Sequence, residues 1–408
     1  MKLHKSFHLG FILAVLFSCA ESKKEDASLK AIPFPDTEQT SLPYLFTGSD
    51  GPVISWVKKL NDSTTELRYS QLTDNQWQVP KKITQGSDWF INWADFPSIT
   101  ENKGHLMTHF LQKSSRGTYS YDVKLNLLKN NDSSWKINLP LHTDSTFTEH
   151  GFVSAVPYST DSFFITWLDG RNTGMSEGHD HDEHGGGAMS IRAATVHLDG
   201  SITDEVELDS RTCDCCQTTT AITENGPIVV YRDRSDSEVR DIYITRLVDG
   251  HWATPKPVHS DGWEINGCPV NGPKVDAKGK TVVVAWFTGV NNEPKVKVAF
   301  SRNAGESFSA PIQVSGSDAL GRVDVALLDD HSAILTWMET EGEETYFKAA
   351  KVTDGGMGNP IQITPIDPAR KSGFPQMEIF KENIYFAWTE VIGDQNQVKT
   401  ASLAKTAF

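Results

Sequence analysis

The chain has 408 residues and a formal net charge of −15. A body this acidic repels polyanions, which excludes nucleic acid and anionic membrane surfaces as electrostatic partners and chiefly favours solubility. Setting aside Cys19, its cysteines are Cys213, Cys215, Cys216 and Cys268, an even number that leaves pairing and metal ligation both open.

In chain order, residues 1–18 come first: a basic start, an apolar run from Leu9 to Phe17, then Ser18 before Cys19. The run is about nine residues long, far below the roughly 20 a membrane-spanning helix needs, and it reads as an export signal. The stretch "LFSC" resembles a bacterial lipoprotein box. That resemblance implies lipid on Cys19 and a chain tethered in the bacterial cell envelope, on the periplasmic or surface side of the outer membrane. The alternative is ordinary cleavage that leaves Cys19 free or disulfide-bonded. Residues 19–29 are charged and lack core-forming side chains, so they read as a flexible tether. Residues 30–408 then form a single domain, expected to be a monomer.

Through that domain one pattern recurs: a short turn, then an apolar β-rich run ending in an aromatic. The aromatics are Trp56, Phe110, Trp167, Tyr231, Trp286, Trp337 and Trp388, spaced about 55 residues apart. An alternating strand and a polar turn with an aromatic follow several of these runs, as in "DGHWATPKPV". Four short strands per repeat with almost no helical periodicity predict an all-β chain, a β-propeller of four-stranded blades. Solenoid β-helices and tandem sandwiches are the rivals; sandwiches would need about 100 residues per unit. Seven blades fit, starting near residues 43, 97, 153, 217, 269, 322 and 374, with six as the alternative. The last has room for three strands only, so a strand from "KAIPFP" is expected to close the ring.

"SRNAGESF" places Ser301, Asn303, Gly305 and Phe308 at the four defining positions of an Asp-box. On those residues the chain resembles the sialidase-like, or BNR-repeat, propeller superfamily. The resemblance implies a tight turn between the third and fourth strands of a blade, with Asn and Gly tolerating left-handed backbone and the aromatic packing beneath. It also implies a ligand face built from the loops entering each blade and those joining second to third strands.

Sorted that way, the loops entering blades four and five carry all four later cysteines, so Cys268 should approach the Cys213–Cys216 cluster across one blade. The same face should gather Asp169, Arg171, Arg232, Asp233, Arg240 and Arg322, with Trp89, Trp93, His150, Trp263, Asn266 and Asn271 from loops entering the blades. Arginine forks suit carboxylates and phosphates, and the exposed aromatics offer flat surfaces for sugars. The bland reading is that Arg and Asp brace their own loops and the aromatics pack between blades.

Three functions follow. The first is binding of a glycan or small acidic ligand on the loop face, with turnover undecided. The second is a copper- or zinc-binding protein using Cys213, Cys215, Cys216 and Cys268 together with His179, His181 and His184 of "GHDHDEHGGG", since thiolate and imidazole suit those ions. The third is an exo-glycosidase of sialidase type, which the resemblance implies through an arginine triad, an aspartate acid/base and a tyrosine nucleophile activated by glutamate. Against it, the Arg-Ile-Pro triplet is reduced to Ala31-Ile32-Pro33 and no clear late loop tyrosine is present. For the cysteines, an exported chain favours a disulfide from Cys268 to Cys215 or Cys216; adjacent Cys215 and Cys216 would be strained as partners.

Overall fold

The computed structural model describes residues 28–174 and 187–408. It is all-β, with seven antiparallel sheets in sequence order. Their innermost strands are Thr40–Gly48, Ile99–Asn102, His150–Tyr158, Thr219–Thr223, Lys274–Lys278, Ala319–Asp329 and Gln376–Phe380. Each touches the next in cyclic order, and the seventh returns to the first. The molecule is therefore a seven-bladed propeller. The largest error in the expected starts is at blade five, 269 against an innermost strand from Lys274. In blades one, four and six the outer strand is split into two short segments, both paired with the third strand. The seventh blade takes its fourth strand from Lys30–Ile32, which pairs antiparallel with Gln395–Ala404.

The aromatic ends of the second strands are core. Trp56, Trp167 and Trp337 are fully buried, and Trp286 nearly so. Burying an indole requires a partner for its N–H, and the chain supplies a carboxylate each time. Trp56 donates to Asp36, Trp167 to Asp169, Trp286 to Asp261 and Trp337 to Glu339. Each carboxylate in turn takes a cation: Lys58 on Asp36, Arg171 on Asp169, Lys297 on Asp261, Lys348 on Glu339. Buried charge is thereby paired and hydrogen-bonded, as low dielectric demands.

Innermost strands splay too far apart to exchange backbone hydrogen bonds, so side chains latch one blade to the next. Ser154 Oγ accepts from Thr220 N, Thr219 Oγ1 from Val275 N, Asp276 from Leu327 N and Asp324 from Met377 N. Thr100 donates to Ala155 O and Thr47 to Ile379 O. Glu101 accepts from Ser49 N and completes the circuit between blades one and two. These contacts satisfy polar groups on sheet edges that would otherwise face the channel unpaired.

The Asp-box forms the expected turn between Lys295–Ser301 and Ile312–Gln313. Ser301 Oγ accepts from Gly305 N, and Asn303 Oδ1 accepts from Ser307 N. Left-handed backbone falls on Ala304 and Gly305. Asn303 does not take it; its side chain closes the turn instead. Phe308 packs against the core below. No helix among the described residues is long and apolar enough to cross a membrane.

Candidate functional site

The loop entering blade four leaves its strand at Thr212 and turns sharply, setting three thiols inward. Cys213 and Cys216 are buried, Cys215 is partly so, and Cys268 on the loop entering blade five is exposed. Cys213 Sγ lies 3.3 Å from Cys216 Sγ and 4.0 Å from Cys215 Sγ. Cys268 interacts with Cys215 across the blade boundary. All four are free thiols, and a disulfide needs about 2.05 Å between sulfurs. The disulfide favoured by the exported context is therefore absent here. Sulfurs ligating one ion at about 2.3 Å in tetrahedral geometry lie about 3.8 Å apart, and the observed spacings bracket that distance.

Electrostatics single out Cys213. Burial opposes its ionisation, but neighbouring thiols and the Arg240 guanidinium, with Nη1 3.3 Å from the sulfur, hold it well below the usual thiol range. Burial and that thiolate push Cys216 up to about 12. The cluster thus sets Cys213, shifted toward ionisation, against Cys215 and Cys216, which are shifted away from it. Arg240 is itself anchored by Glu238, which also holds Arg234, and Arg234 reaches Asp214 inside the cysteine loop.

Beside the thiols runs a belt of expected site residues. Arg232 stacks on Trp263 with its guanidinium carbon 4.9 Å from the ring centroid, and donates to the carbonyls of Asn271, Arg240 and Phe287. Asn271 Oδ1 accepts from Arg322 N. Arg322 lies 5.0 Å over Trp93 and donates to the carbonyls of Pro368, Ala369 and Gly373 and to Ser372 Oγ. It occupies a β-bulge at φ 51, an uncommon conformation for a side-chain-bearing residue, also adopted at the bulges of Leu42 and Phe152. With Arg171 held by Asp169 and Arg240 by Glu238, these four guanidinium groups brace loops and are not available to grip a substrate carboxylate as a triad.

Three groups not singled out in the sequence stand on the other flank of the thiols. Tyr121 Oη donates to Glu149 at 2.5 Å and to Asp95 at 3.2 Å. Burial pushes Glu149 up to about 8, with Asp95 and Asp214 adding to the effect against the tyrosine's hydrogen bond. Burial raises Asp95 to about 7. Tyr121 is fully buried beneath Phe90, which bars it from attacking a sugar. Asp95 and Glu149 lie in loops entering blades two and three, so the register argument that located Cys268 would have found them.

Other expected residues fall elsewhere. His150 follows Glu149 in extended chain, where neighbours point to opposite sides; it turns away from the thiols and meets Asp144 and Asp169. Trp89 packs on Phe110. Asp233 lines a separate surface depression with Asp209, Arg211 and Tyr243. Asn266 is exposed on the loop that carries Cys268. Cys19, His179, His181 and His184 lie outside the described residues.

The seven-bladed ring encloses an axial cavity of about 400 Å³ lined by Asp95, Phe96, Gln217, Lys274, Asp324 and Glu378 among others.

No described protein family and no curated protein matches the chain. Solved structures do. The chain is similar to an ulvan lyase of a polysaccharide lyase family, with TM-score 0.59 and 11% identity over 92% of this chain and 96% of that one. It is also similar to a protein of unknown function from Dyadobacter fermentans, with TM-score 0.52 and 12% identity over 76% of this chain and 94% of that one. A Trypanosoma rangeli sialidase aligns at TM-score 0.49 and 9% identity, over 85% and 59%. At these identities the likeness concerns the fold alone, a β-propeller.

Proposed function

We propose that this propeller binds a thiophilic metal ion, Cu(I) or Zn²⁺, through Cys213, Cys215 and Cys216, with Cys268 completing the site from the next blade. The observation that carries this is the sulfur spacing: all three blade-four sulfurs lie within 4.8 Å of one another, too far for bonds and right for shared ligation. Soft thiolates select these ions, and a bound cation supplies the charge that deprotonates the remaining thiols. Three sheltered sulfurs and one exposed sulfur suit uptake from, and release to, another carrier. Copper is the better match if three sulfurs suffice, zinc if all four engage.

The location belongs to the same proposal. The export run and Cys19 support a lipid-tethered envelope protein, and Cys19→Ser is expected to move it from the membrane to the soluble fraction.

The test is anaerobic purification followed by metal analysis and thiol titration. One equivalent of copper or zinc held by the thiols is expected, and that equivalent is lost in Cys216→Ser. Four free thiols that take up neither ion when titrated, or no free thiols in the protein as isolated, would overturn the reading.

A second reading, glycan binding in the mouth of the axial cavity, has one observation in its favour. Phe96 and Phe374 stand beside the amide of Gln217 and the lysine of Lys274, a mix of flat apolar and hydrogen-bonding groups that suits a sugar. Four carboxyls, Asp95, Asp276, Asp324 and Glu378, face that one lysine, so a neutral sugar fits better than an acidic ligand. Binding of neutral oligosaccharides on an array, lost in Gln217→Ala, is the expected result; an array without hits removes it.

A further inference from the structure

Where blades two and three meet, a second cluster lies apart from the cysteines. His142 follows the outer strand of blade two, His150 opens the inner strand of blade three, and Asp122 lies on the third strand of blade two. The two imidazoles stack with centroids 3.8 Å apart and planes 14° from parallel. His150 is fully buried and the His142 side chain is 4% exposed. Two of their four ring nitrogens, His142 Nε2 and His150 Nδ1, have no polar partner, while His150 Nε2 lies 3.2 Å from Asp144 Oδ2. A buried polar atom without a partner costs about 1–3 kcal/mol. Two stacked, buried rings with two such atoms therefore need an occupant.

The surrounding groups define it. Asp144 Oδ2 lies 2.7 Å from His142 Nδ1, which places the proton on Nδ1 and leaves Nε2 a lone pair aimed toward Asp122 Oδ1, 4.0 Å away. The other Asp122 oxygen is occupied by Lys124. Donor atoms of Asp122, His142 and His150 lie within 4.8 Å of one another. Three carboxylates face the imidazoles: Asp122, Asp144 and Asp169, the last 3.7 Å from His150 Nε2 and held by Arg171, whose guanidinium also comes within 3.6 Å of Asp144 and reaches Glu205.

From this geometry we propose that Asp122, His142 and His150 form a second, nitrogen- and oxygen-donor site for a zinc-class divalent cation, with Asp144 as the residue that orients His142. Two imidazoles and a carboxylate form a donor set zinc accepts, and a carboxylate on the far nitrogen of a ligating histidine is the usual way such a ring is oriented. Donors of a zinc site at about 2.0 Å lie about 3.3 Å apart, so closure asks for a shift of less than the width of an atom. Asp122, 24% exposed at its side chain, provides the way in.

Co²⁺ titration of the full chain with His179, His181 and His184 replaced by alanine tests this separately from the thiol site. Thiolate ligation shows as strong sulfur-to-cobalt charge transfer, whereas the site on Asp122, His142 and His150 shows weak ligand-field bands alone. One equivalent of the second kind is expected, displaced by Zn²⁺, weakened at least tenfold by His142→Ala and by Asp122→Asn. Asp122→Asn touches a partly exposed side chain and keeps the variant set informative if His142→Ala unfolds. Absence of that equivalent in folded protein, or its survival in both variants, overturns the proposal whatever the thiols bind.

Discussion

Glu339 shows what the repeated carboxylates contribute. It accepts from Trp337 Nε1 at 2.9 Å and from Lys348 Nζ at 2.8 Å, and both charged side chains are buried. Glu339→Ala would strand a buried ammonium and an indole N–H together, and removing one partner of such a pair costs about 3–5 kcal/mol. That loss is expected in urea denaturation at neutral pH; a change below about 1 kcal/mol would show the triad is ornamental. Asp169 has the same relation to Trp167 and Arg171. Its place in the sequence, in the loop after an aromatic-ended strand, reads equally as an acid catalyst. Comparison with Glu339 decides for a brace, and Asp169→Ala is expected to destabilise the fold by a similar amount.

Between blades, the latches carry a matching expectation. Asp324 accepts from Met377 N of the next blade and from Val325 N of its own. Asp324→Ala leaves a buried N–H of blade seven without a partner, at about 1–3 kcal/mol, and hydrogen exchange at Met377 is expected to quicken. Unchanged exchange there would show that the junction holds without its latch. Strands and blade boundaries were legible in the sequence because alternation and turn chemistry are local and repeat about every 55 residues. The latches were not, since Ser154, Thr219, Asp276 and Asp324 are of three residue types, and only their position against the neighbouring strand makes them equivalent.

Across the whole molecule, several acids keep their protons in the folded state. Burial raises Glu149 and Glu378 to about 8, and Asp95 and Asp233 to about 7. An unfolded carboxyl releases its proton near pH 4. Between about pH 4.5 and 8 the native chain therefore binds more protons than the unfolded one, and stability falls as pH rises. One such group contributes a slope of up to about 1.4 kcal/mol per pH unit. Denaturation midpoints in urea are expected to be higher at pH 5 than at pH 8, with the difference reduced in Glu149→Gln and Glu378→Gln. A midpoint that rises over that interval would show that these carboxyls are ionised in the fold. Glu238, held near 2 mainly by Arg234 and Arg240 against its desolvation, works in the opposite sense only at lower pH.

By itself the sequence determined the propeller, the positions of its blades and the meeting of the Cys268 loop with the cysteine cluster, because all three follow from a period and a register. Tertiary structure alone decided the chemistry. Whether a guanidinium faces a ligand or a ring of backbone carbonyls, as at Arg232 and Arg322, depends on where a bulge or a neighbouring loop turns it. Whether four cysteines stand as free thiols or as bonded pairs depends on sulfur positions that spacing along the chain does not encode. The stacked imidazoles of His142, just past the last strand of blade two, and His150, at the start of blade three, became a site only when the ring of blades brought them face to face.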